Sequence, residues 1–155
     1  MKPFATLRAL TLIPLIGLGA CSGTEPTTAL LPQGALAIAA PASYTEWYSR
    51  TESCAATQGD FAKLRFFVVP GVRTFQSEFG ETVALWRKVG DEQFIIVSGE
   101  YSNDEMVVRH EMLHALLQRE GHPAEFFVNR CRLTWDTWGQ SAFASAGGGH
   151  PGHTY

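Results

Sequence analysis

The fold is decided by the stretch Ser102-Asn103-Asp104-Glu105-Met106-Val107-Val108-Arg109-His110-Glu111-Met112-Leu113-His114. Ser102 and Glu105 have the spacing of a capping box, in which two side chains satisfy backbone amides at the start of a helix. Residues 106–119 contain no glycine or proline, and Gly121 suits the left-handed conformation that commonly ends a helix. The sequence therefore predicts an uninterrupted helix from residue 106 to about residue 119.

Two histidines on this predicted helix have the spacing of metal ligands. Side chains four residues apart project from the same helical face, so His110 and His114 can bind one ion, and zinc accepts neutral imidazole readily. Glu111 lies beside the first ligand, where its carboxylate can take a proton from a zinc-bound water without being a ligand itself. The pattern His-Glu-x-x-His therefore predicts a Zn2+ site, with Glu111 as the general base of a hydrolase.

A catalytic zinc site needs a third protein ligand, and the sequence offers several candidates for it. His122 is the first candidate, because a chain reversal at Gly121 would bring its ring back toward His110 and His114. Two carboxylates nearby and two histidines farther along the chain are the alternatives: Glu120, Glu125, His150 and His153.

Two sequence elements resemble those of a known superfamily. His110-Glu111-Met112-Leu113-His114 resembles the motif of the zincin metallopeptidases, in which strands precede the active-site helix and an edge strand binds extended peptide. His122-Pro123-Ala124-Glu125-Phe126 is similar to the His-x-x-x-Phe element of minimal zincins of the SprT and WLM kind, where this histidine is the third ligand. The separation of the two elements is longer here than in several of those families. Leu117 and Glu120 replace the glycine and the third histidine of the metzincins, which excludes that group.

Three segments before the motif have the composition of strands. Residues 64–69 are β-branched and aromatic. Residues 82–89 alternate in polarity and residues 93–98 are mostly apolar, with Gly90 between them, so these two segments are expected to form a hairpin.

Helices and strands together define the expected fold class. Two further helices are predicted, over residues 44–57 and, with a proline at its start, over residues 123–131. With the resemblance, which spans roughly residues 64–131, these elements indicate an α+β, zincin-like fold. In it, a roughly three-stranded sheet packs on an N-terminal helix and on the motif helix.

The overall charge argues against nucleic acid as a partner. The chain has 12 basic and 15 acidic residues, a formal net charge of −3. Removal of the first twenty residues takes away Lys2 and Arg8, which leaves 10 basic residues against 15 acidic ones and a balance of −5. A surface of that sign attracts neither nucleic acid nor anionic lipid.

The first twenty residues have the form of an export signal. A positive start precedes an apolar run that is too short to span a bilayer. The run ends in Leu18-Gly19-Ala20-Cys21, which looks like a bacterial lipobox, and resemblance to lipoproteins implies that an acylated Cys21 anchors the chain to a membrane. Ser22 in place of aspartate then implies the periplasmic side of the outer membrane, if the envelope is Gram-negative. A cleaved signal without lipid, or a short membrane anchor, is the alternative.

The cysteine count predicts one disulfide. The chain has three cysteines, an odd number for an exported protein. If Cys21 carries the lipid, Cys54 and Cys131 remain as a pair in an oxidising compartment, where a bond between them is expected. Two buried free thiols are the alternative.

The composition divides the chain into four parts. After the signal peptide, residues 21–43 are rich in Ala, Thr, Pro and Gly and are predicted to be a flexible tether, unless residues 35–40 add a short strand or helix. Residues 44–133 are expected to form the zincin-like domain, and residues 134–155 a Gly-rich C-terminal tail.

The sequence as a whole predicts a lipid-anchored zinc metallopeptidase of the cell envelope that acts on peptide or protein substrates. Ile96 and Val97 are expected on the strand that faces the substrate, and Tyr101 and Arg109 near the oxyanion. The alternative is a non-catalytic, zinc-stabilised lipoprotein that binds a partner. Glu111 favours catalysis, because a structural zinc site has no need of a carboxylate beside its ligand.

Overall fold

The computed structural model describes residues 31–138, which form an α+β fold. The strands are β1 (Leu36–Ile38), β2 (Leu64–Val69), β3 (Phe75–Ser77), β4 (Gly80–Thr82), β5 (Ala84–Val89) and β6 (Glu92–Ser98). The helices are α1 (Ala42–Ala55), α2 (Glu105–Leu117) and a short π-helix (Glu125–Arg130).

The main sheet has four strands in the order β1-β2-β6-β5, one more than the sequence predicts. β2 and β6 run parallel, while β1 and β5 pair antiparallel with their neighbours. β3 and β4 form a separate two-stranded hairpin. The hairpin expected between β5 and β6 is confirmed, and Gly90 takes a positive φ of 59° in its turn, a conformation that glycine adopts without steric cost.

The side chains of β6 enter two cores on opposite faces of the sheet. Ile95 and Val97 belong to the core shared with α1 and α2, whereas Phe94 and Ile96 belong to a smaller core on the other face. All four are at most 3% exposed. The two-residue period of a strand explains this alternation, and burial on both faces is common for a strand that has a parallel partner. The larger core holds α2, with its motif, against the sheet.

The fold begins earlier than the tether boundary predicted at residue 43. Within the expected tether, β1 pairs with β2, with Ala37 opposite Phe67, and α1 begins at Ala42. The alternative of a short strand within residues 35–40 is therefore the one that the structure shows. The outer edge of β2 offers unpaired backbone groups, and pairing with them stabilises a strand of only three residues whose composition alone is a weak signal.

The start of α2 is capped by a different residue from the one predicted. Asp104 is the N-cap, and its carboxylate accepts a hydrogen bond from the backbone amide of Val107 at 3.1 Å. The hydroxyl of Ser102 instead donates to the carbonyl of Gly99 at 3.0 Å. An ionised carboxylate next to the positive end of the helix dipole is a stronger cap than a hydroxyl two residues earlier.

The end of α2 also lies earlier than predicted. Gln118, with a φ of 53°, is the left-handed residue, and its backbone amide donates to the carbonyl of His114. The helix therefore stops at Leu117, four positions before Gly121. A left-handed glutamine is uncommon, so tertiary contacts after the helix must favour the early stop.

The predicted disulfide between Cys54 and Cys131 is confirmed. The two Cα atoms lie 5.1 Å apart, although 77 positions separate the residues in the sequence. Cys54 is in the last turn of α1 and Cys131 directly follows the π-helix. The bond therefore attaches the chain after α2 to the first helix.

Within residues 31–138, no helix is both long enough and apolar enough to cross a bilayer. The expected signal peptide, Cys21 and the part of the expected tail after residue 138 lie outside the described residues.

The capping arrangement of α2 gives a first testable prediction. Asp104→Ala is expected to lower the free energy of unfolding by about 1 kcal/mol, since the amide of Val107 loses its partner. Urea denaturation measures the change, with Ser102→Ala as the matched control. A larger loss in the Ser102 variant than in the Asp104 variant would contradict this assignment of the cap.

Candidate metal centre

The two histidines of the motif are held on a helix that is buried along most of its length. Val108, Met112 and Leu113 are fully buried in the larger core and fix the rotation of α2 against the sheet. The same rotation directs His110 and His114 together toward the segment that follows the helix, residues 118–133. His114 is buried and His110 is half-buried.

Three imidazoles converge at this point, as the sequence predicts. Nε2 of His110 lies 3.2 Å from Nε2 of His114, and Nε2 of His122 lies 2.9 Å from the first and 3.1 Å from the second. His122 is therefore the histidine that joins the motif pair. Within residues 31–138, this trio is the group of potential ligands that the fold brings together.

The other nitrogens of the motif histidines contact backbone carbonyls. Nδ1 of His110 lies 2.6 Å from the carbonyl oxygen of Leu133, and Nδ1 of His114 lies 2.8 Å from that of Arg119. A carbonyl oxygen can only accept, so each Nδ1 carries the proton and donates it. Each Nε2 then keeps a free lone pair, and two such lone pairs point at each other and at His122. This is the usual way in which outer partners fix a ligand histidine in the correct tautomer.

The surroundings keep the imidazoles neutral. Burial is the main cause that lowers the pKa of His110 to about 4; the Leu133 carbonyl opposes this shift and the neighbouring His122 adds to it. Burial and the adjacent His110 lower the pKa of His114 to about 3, and burial also lowers the pKa of His122. Neutral imidazole is the form that binds metal ions, so the site is in its ligand form at neutral pH.

The separations of the three nitrogens fit one small cation. Histidine nitrogens lie about 2.0–2.1 Å from a tetrahedral zinc ion, which places two of them about 3.4 Å apart. The observed separations of 2.9 to 3.2 Å are close to that value. Converging lone pairs repel one another unless a cation lies between them. An all-imidazole set suits zinc, copper, iron and nickel, so the three histidines could hold any one of these ions.

A fully buried phenylalanine, Phe127, packs against all three histidine rings, a contact that the sequence does not predict. The ring centroid of Phe127 lies 4.9 Å from those of His110 and His122 and 4.7 Å from that of His114. Phe127 is 0% exposed and sits in the π-helix. The His-x-x-x-Phe element points to its neighbour Phe126, whose ring instead lies 5.4 Å from the guanidinium of Arg130. Phe127 rather than Phe126 therefore contacts the histidines, and no sequence signal distinguishes the two phenylalanines.

Glu111 is buried beside β5. The backbone amide of Trp86 donates a hydrogen bond to the Glu111 carboxylate, which lowers its pKa, but burial raises the pKa more, to about 8. The indole of Trp86 stacks on the ring of His114, with centroids 6.2 Å apart and planes at 12°. One residue of β5 thus contacts both the predicted base and a predicted ligand, so Glu111 and His114 face the same strand.

The remaining candidate ligands do not join the trio. Glu120 is exposed, and the carboxylate of Glu125 lies 3.7 Å from the guanidinium of Arg130. His150 and His153 lie outside the described residues.

Two expectations about the substrate side are wrong. Ile96 and Val97 are buried in the central strand β6, whereas the strand beside α2 is β5, at the edge of the sheet. Arg109 points to α1, where it donates to the hydroxyl of Thr51 at 3.1 Å and pairs with Glu105 at 2.9 Å. Its position one residue before His110 rotates it about 100° around the helix, away from the ligands.

Tyr101, the other residue expected near the oxyanion, packs edge-on against Trp135, with centroids 6.0 Å apart. Tyr101 lies a few residues before α2, and Trp135 lies two residues after Leu133, whose carbonyl contacts His110. The structure assigns Tyr101 a packing contact, and its role in stabilising charge stays a prediction.

Comparison of the chain with protein-family models, with curated proteins and with solved structures finds no significant match. The fold and the histidine cluster therefore carry the functional argument on their own.

The pKa of Glu111 gives a prediction for the metal-free protein. The carboxyl titrates near 4.5 when unfolded and near 8 when folded, so stability is lost as pH rises between these values, at up to about 1.4 kcal/mol per pH unit. Glu111→Gln removes this loss and keeps an acceptor for the Trp86 amide. The variant should therefore gain more stability over wild type at pH 8 than at pH 5.

Chemical denaturation in the presence of a chelator measures both differences. His110 and His114 have lowered pKa values, so both proteins lose stability at low pH to the same extent. This loss cancels in the difference between the variant and wild type. An equal difference at the two pH values would show that Glu111 ionises as an ordinary exposed carboxyl.

Proposed function

We propose that this protein is a zinc-dependent hydrolase of peptide or other amide bonds, of the zincin kind. The observation that carries the proposal is the convergence of three neutral imidazoles, two of which lie on the helix that also carries the buried carboxylate of Glu111. His110, His114 and His122 would hold the ion, and Glu111 would be the general base. The resemblance of the motif to zincins supports the same assignment.

The number of ligands supports catalysis over a structural role. Structural zinc sites have four protein ligands, whereas catalytic ones have three and leave a position for water or substrate. Within residues 31–138, the trio has three members and no carboxylate or cysteine completes it. A buried carboxylate that is not a ligand costs stability, and this cost is commonly accepted at sites where the group does chemistry.

The chain's own residues account for the proton transfers of hydrolysis. When bound, a zinc ion polarises a carbonyl oxygen and acidifies water. Glu111 takes the proton of the attacking water and hands it to the departing amine, which leaves the carboxylate ready for the next cycle. Burial raises the pKa of Glu111 to about 8 in the metal-free protein, and a cation bound by the neighbouring histidines would lower that pKa and favour the carboxylate that takes the proton. The carbonyls of Leu133 and Arg119 keep His110 and His114 in the ligand tautomer throughout.

The edge strand β5 is the element best placed to bind an extended peptide. It pairs with β6 on one side only, and an unpaired strand edge offers amides and carbonyls to a ligand strand. Trp86 on this strand contacts both Glu111 and His114, so a peptide added to the strand would pass the reacting groups. Peptide or protein is therefore the proposed substrate class.

The location of the protein is proposed from residues outside the described part. Residues 1–20 would direct export and a lipid on Cys21 would anchor the chain in the cell envelope, on the periplasmic side of the outer membrane if Gram-negative. The disulfide between Cys54 and Cys131 supports an oxidising compartment, because such bonds rarely persist in the cytosol.

A second candidate function is a zinc-stabilised module that binds a protein partner. The observation in its favour is the exposure of large apolar side chains, with Phe79 65%, Trp135 38% and Trp138 37% exposed. Aromatic residues are common at protein interfaces. This function would need the metal but not the carboxylate of Glu111.

Metal content and peptide cleavage separate these functions. Wild type is expected to bind one zinc ion per chain and to cleave members of a broad peptide library. Glu111→Gln should keep the zinc and lose activity by at least about 100-fold, because proton transfer contributes that much or more. Full zinc occupancy without cleavage in either protein would favour the binding module.

The ligand assignment has its own test. His122→Ala should weaken zinc binding by more than about 100-fold, since even outer partners of ligands contribute 10–100-fold. Glu120→Ala and Glu125→Ala, on either side of it, should leave the affinity unchanged. Competition with a chromophoric chelator measures all three dissociation constants. Loss of zinc in a glutamate variant, with His122→Ala unaffected, would overturn the assignment.

A further inference from the structure

We infer that the disulfide between Cys54 and Cys131 is a positioning element of the metal centre, so that its formation sets the affinity for zinc. This inference rests on the proposed zinc site. It concerns the third-ligand segment, residues 122–133, which lies after α2 and ends two residues beyond Cys131.

The third-ligand segment supplies three parts of the metal centre. His122 brings the nitrogen that completes the trio. Phe127 contacts all three imidazole rings from below. The carbonyl of Leu133 accepts the proton of His110 Nδ1 and so fixes its tautomer. A displacement of this segment would therefore move His122, the Phe127 ring and the Leu133 carbonyl relative to His110 and His114.

The backbone of the segment is held mainly by its own hydrogen bonds. The amides of Phe127, Cys131 and Leu133 donate to the carbonyls of Pro123, Phe126 and Phe127, at 3.1, 2.9 and 2.8 Å. Each of these bonds stays within the segment, which belongs to neither sheet. Attachment to the rest of the fold comes from the His110 contact, from the disulfide and from the packing of four side chains against the larger core, those of Phe126, Phe127, Cys131 and Leu133.

The other end of the disulfide is fixed relative to the motif helix. Cys54 lies in the last turn of α1, and Arg109 on α2 bridges the two helices through Thr51, with Glu105 at its other side. Since α2 also carries His110 and His114, the disulfide closes a rigid path from those ligands through α1 to the third-ligand segment. It thereby limits how far His122 can move from its partners.

The energetic consequence is a coupling between the disulfide and the metal. With the bond in place, the segment is held where the three nitrogens lie within 3.2 Å of one another. Without the disulfide, zinc binding must also order the segment, and the loss of conformational entropy weakens the affinity for zinc. Linkage is reciprocal, so bound zinc must favour the disulfide by the same factor.

The redox step in this coupling is ordinary thiol–disulfide chemistry. A thiol reductant supplies two electrons and two protons, the Sγ–Sγ bond breaks, and two thiols form while the reductant becomes a disulfide. The chain would therefore bind zinc weakly while its cysteines are reduced and tightly once they are oxidised. Such a dependence would delay the assembly of the hydrolase until it reaches an oxidising compartment.

The first test compares full-length wild type with Cys54→Ala/Cys131→Ala and with Ile96→Ala as the control. Ile96 is fully buried in the smaller core on the other face of the sheet, so its truncation destabilises the fold without touching the site. Unfolding in chelator measures stability, and chelator competition measures the zinc dissociation constant. The double cysteine variant should bind zinc at least about tenfold more weakly, a size typical of outer partners of ligands. Ile96→Ala should bind zinc as wild type does.

A wild-type measurement keeps the inference testable if the double variant does not fold. The midpoint potential of the disulfide is measured in glutathione buffers with and without saturating zinc. It should become more negative with zinc, by about 30 mV for each tenfold of coupling. An unchanged potential, or equal zinc affinities in wild type and the double variant, overturns the coupling while leaving the zinc site intact. A wild type that binds no zinc overturns the proposed function as well.

Discussion

The hydrogen bond from Nδ1 of His110 to the carbonyl of Leu133 is the interaction on which the candidate metal centre depends. It joins the motif helix to a segment 23 residues farther along the chain, and it places the proton of His110 on the nitrogen that is not a ligand. The matching contact of His114 with Arg119 does the same within the turn after α2. Both contacts use backbone carbonyls, so the ligand form of the histidines depends on the chain path rather than on the identity of any side chain. α2 ends at Leu117 with the left-handed Gln118, and the chain turns back there, so that the carbonyl of Arg119 reaches the ring of His114.

Burial gives these histidines and Glu111 their chemical character. The core residues of α1, α2 and the sheet surround the buried side of the site, and the ring of Phe127 packs against His114. The same low-polarity environment lowers the pKa of the histidines and raises that of Glu111. Neutral imidazole is the form that binds metal ions, and the burial that keeps the histidines neutral also raises the pKa of Glu111. The cost is a less stable fold around a group that would ionise freely in water.

Much of this architecture was predictable from local patterns. The strand at Leu64–Val69, the hairpin around Gly90, the motif helix and the disulfide each follow from spacing, composition or counting, and each agrees with the structure. The convergence of His110, His114 and His122 was also expected, because helical geometry sets the first pair and a chain reversal suffices for the third. These signals act over a few residues or on rare residue types, where a sequence is most informative.

Other features depended on tertiary contacts that no local pattern shows. β1 forms because β2 has a free edge, and its three residues carry little signal of their own. Phe127, and not its neighbour Phe126, contacts the three histidines. The carbonyls of Leu133 and Arg119 cannot be recognised as acceptors in a sequence, because every residue has a backbone carbonyl. Arg109 was misplaced because one helical step separates it from a ligand and directs it to α1.

The most direct measurement for the central claim is anomalous diffraction at the zinc edge from crystals of the zinc-loaded protein. We expect one anomalous peak bonded to Nε2 of His110, His114 and His122, with water or another non-protein group in the remaining position. A fourth protein ligand at the peak would make the site structural rather than catalytic. A peak elsewhere, or none, would contradict the proposal that these three histidines form a zinc centre.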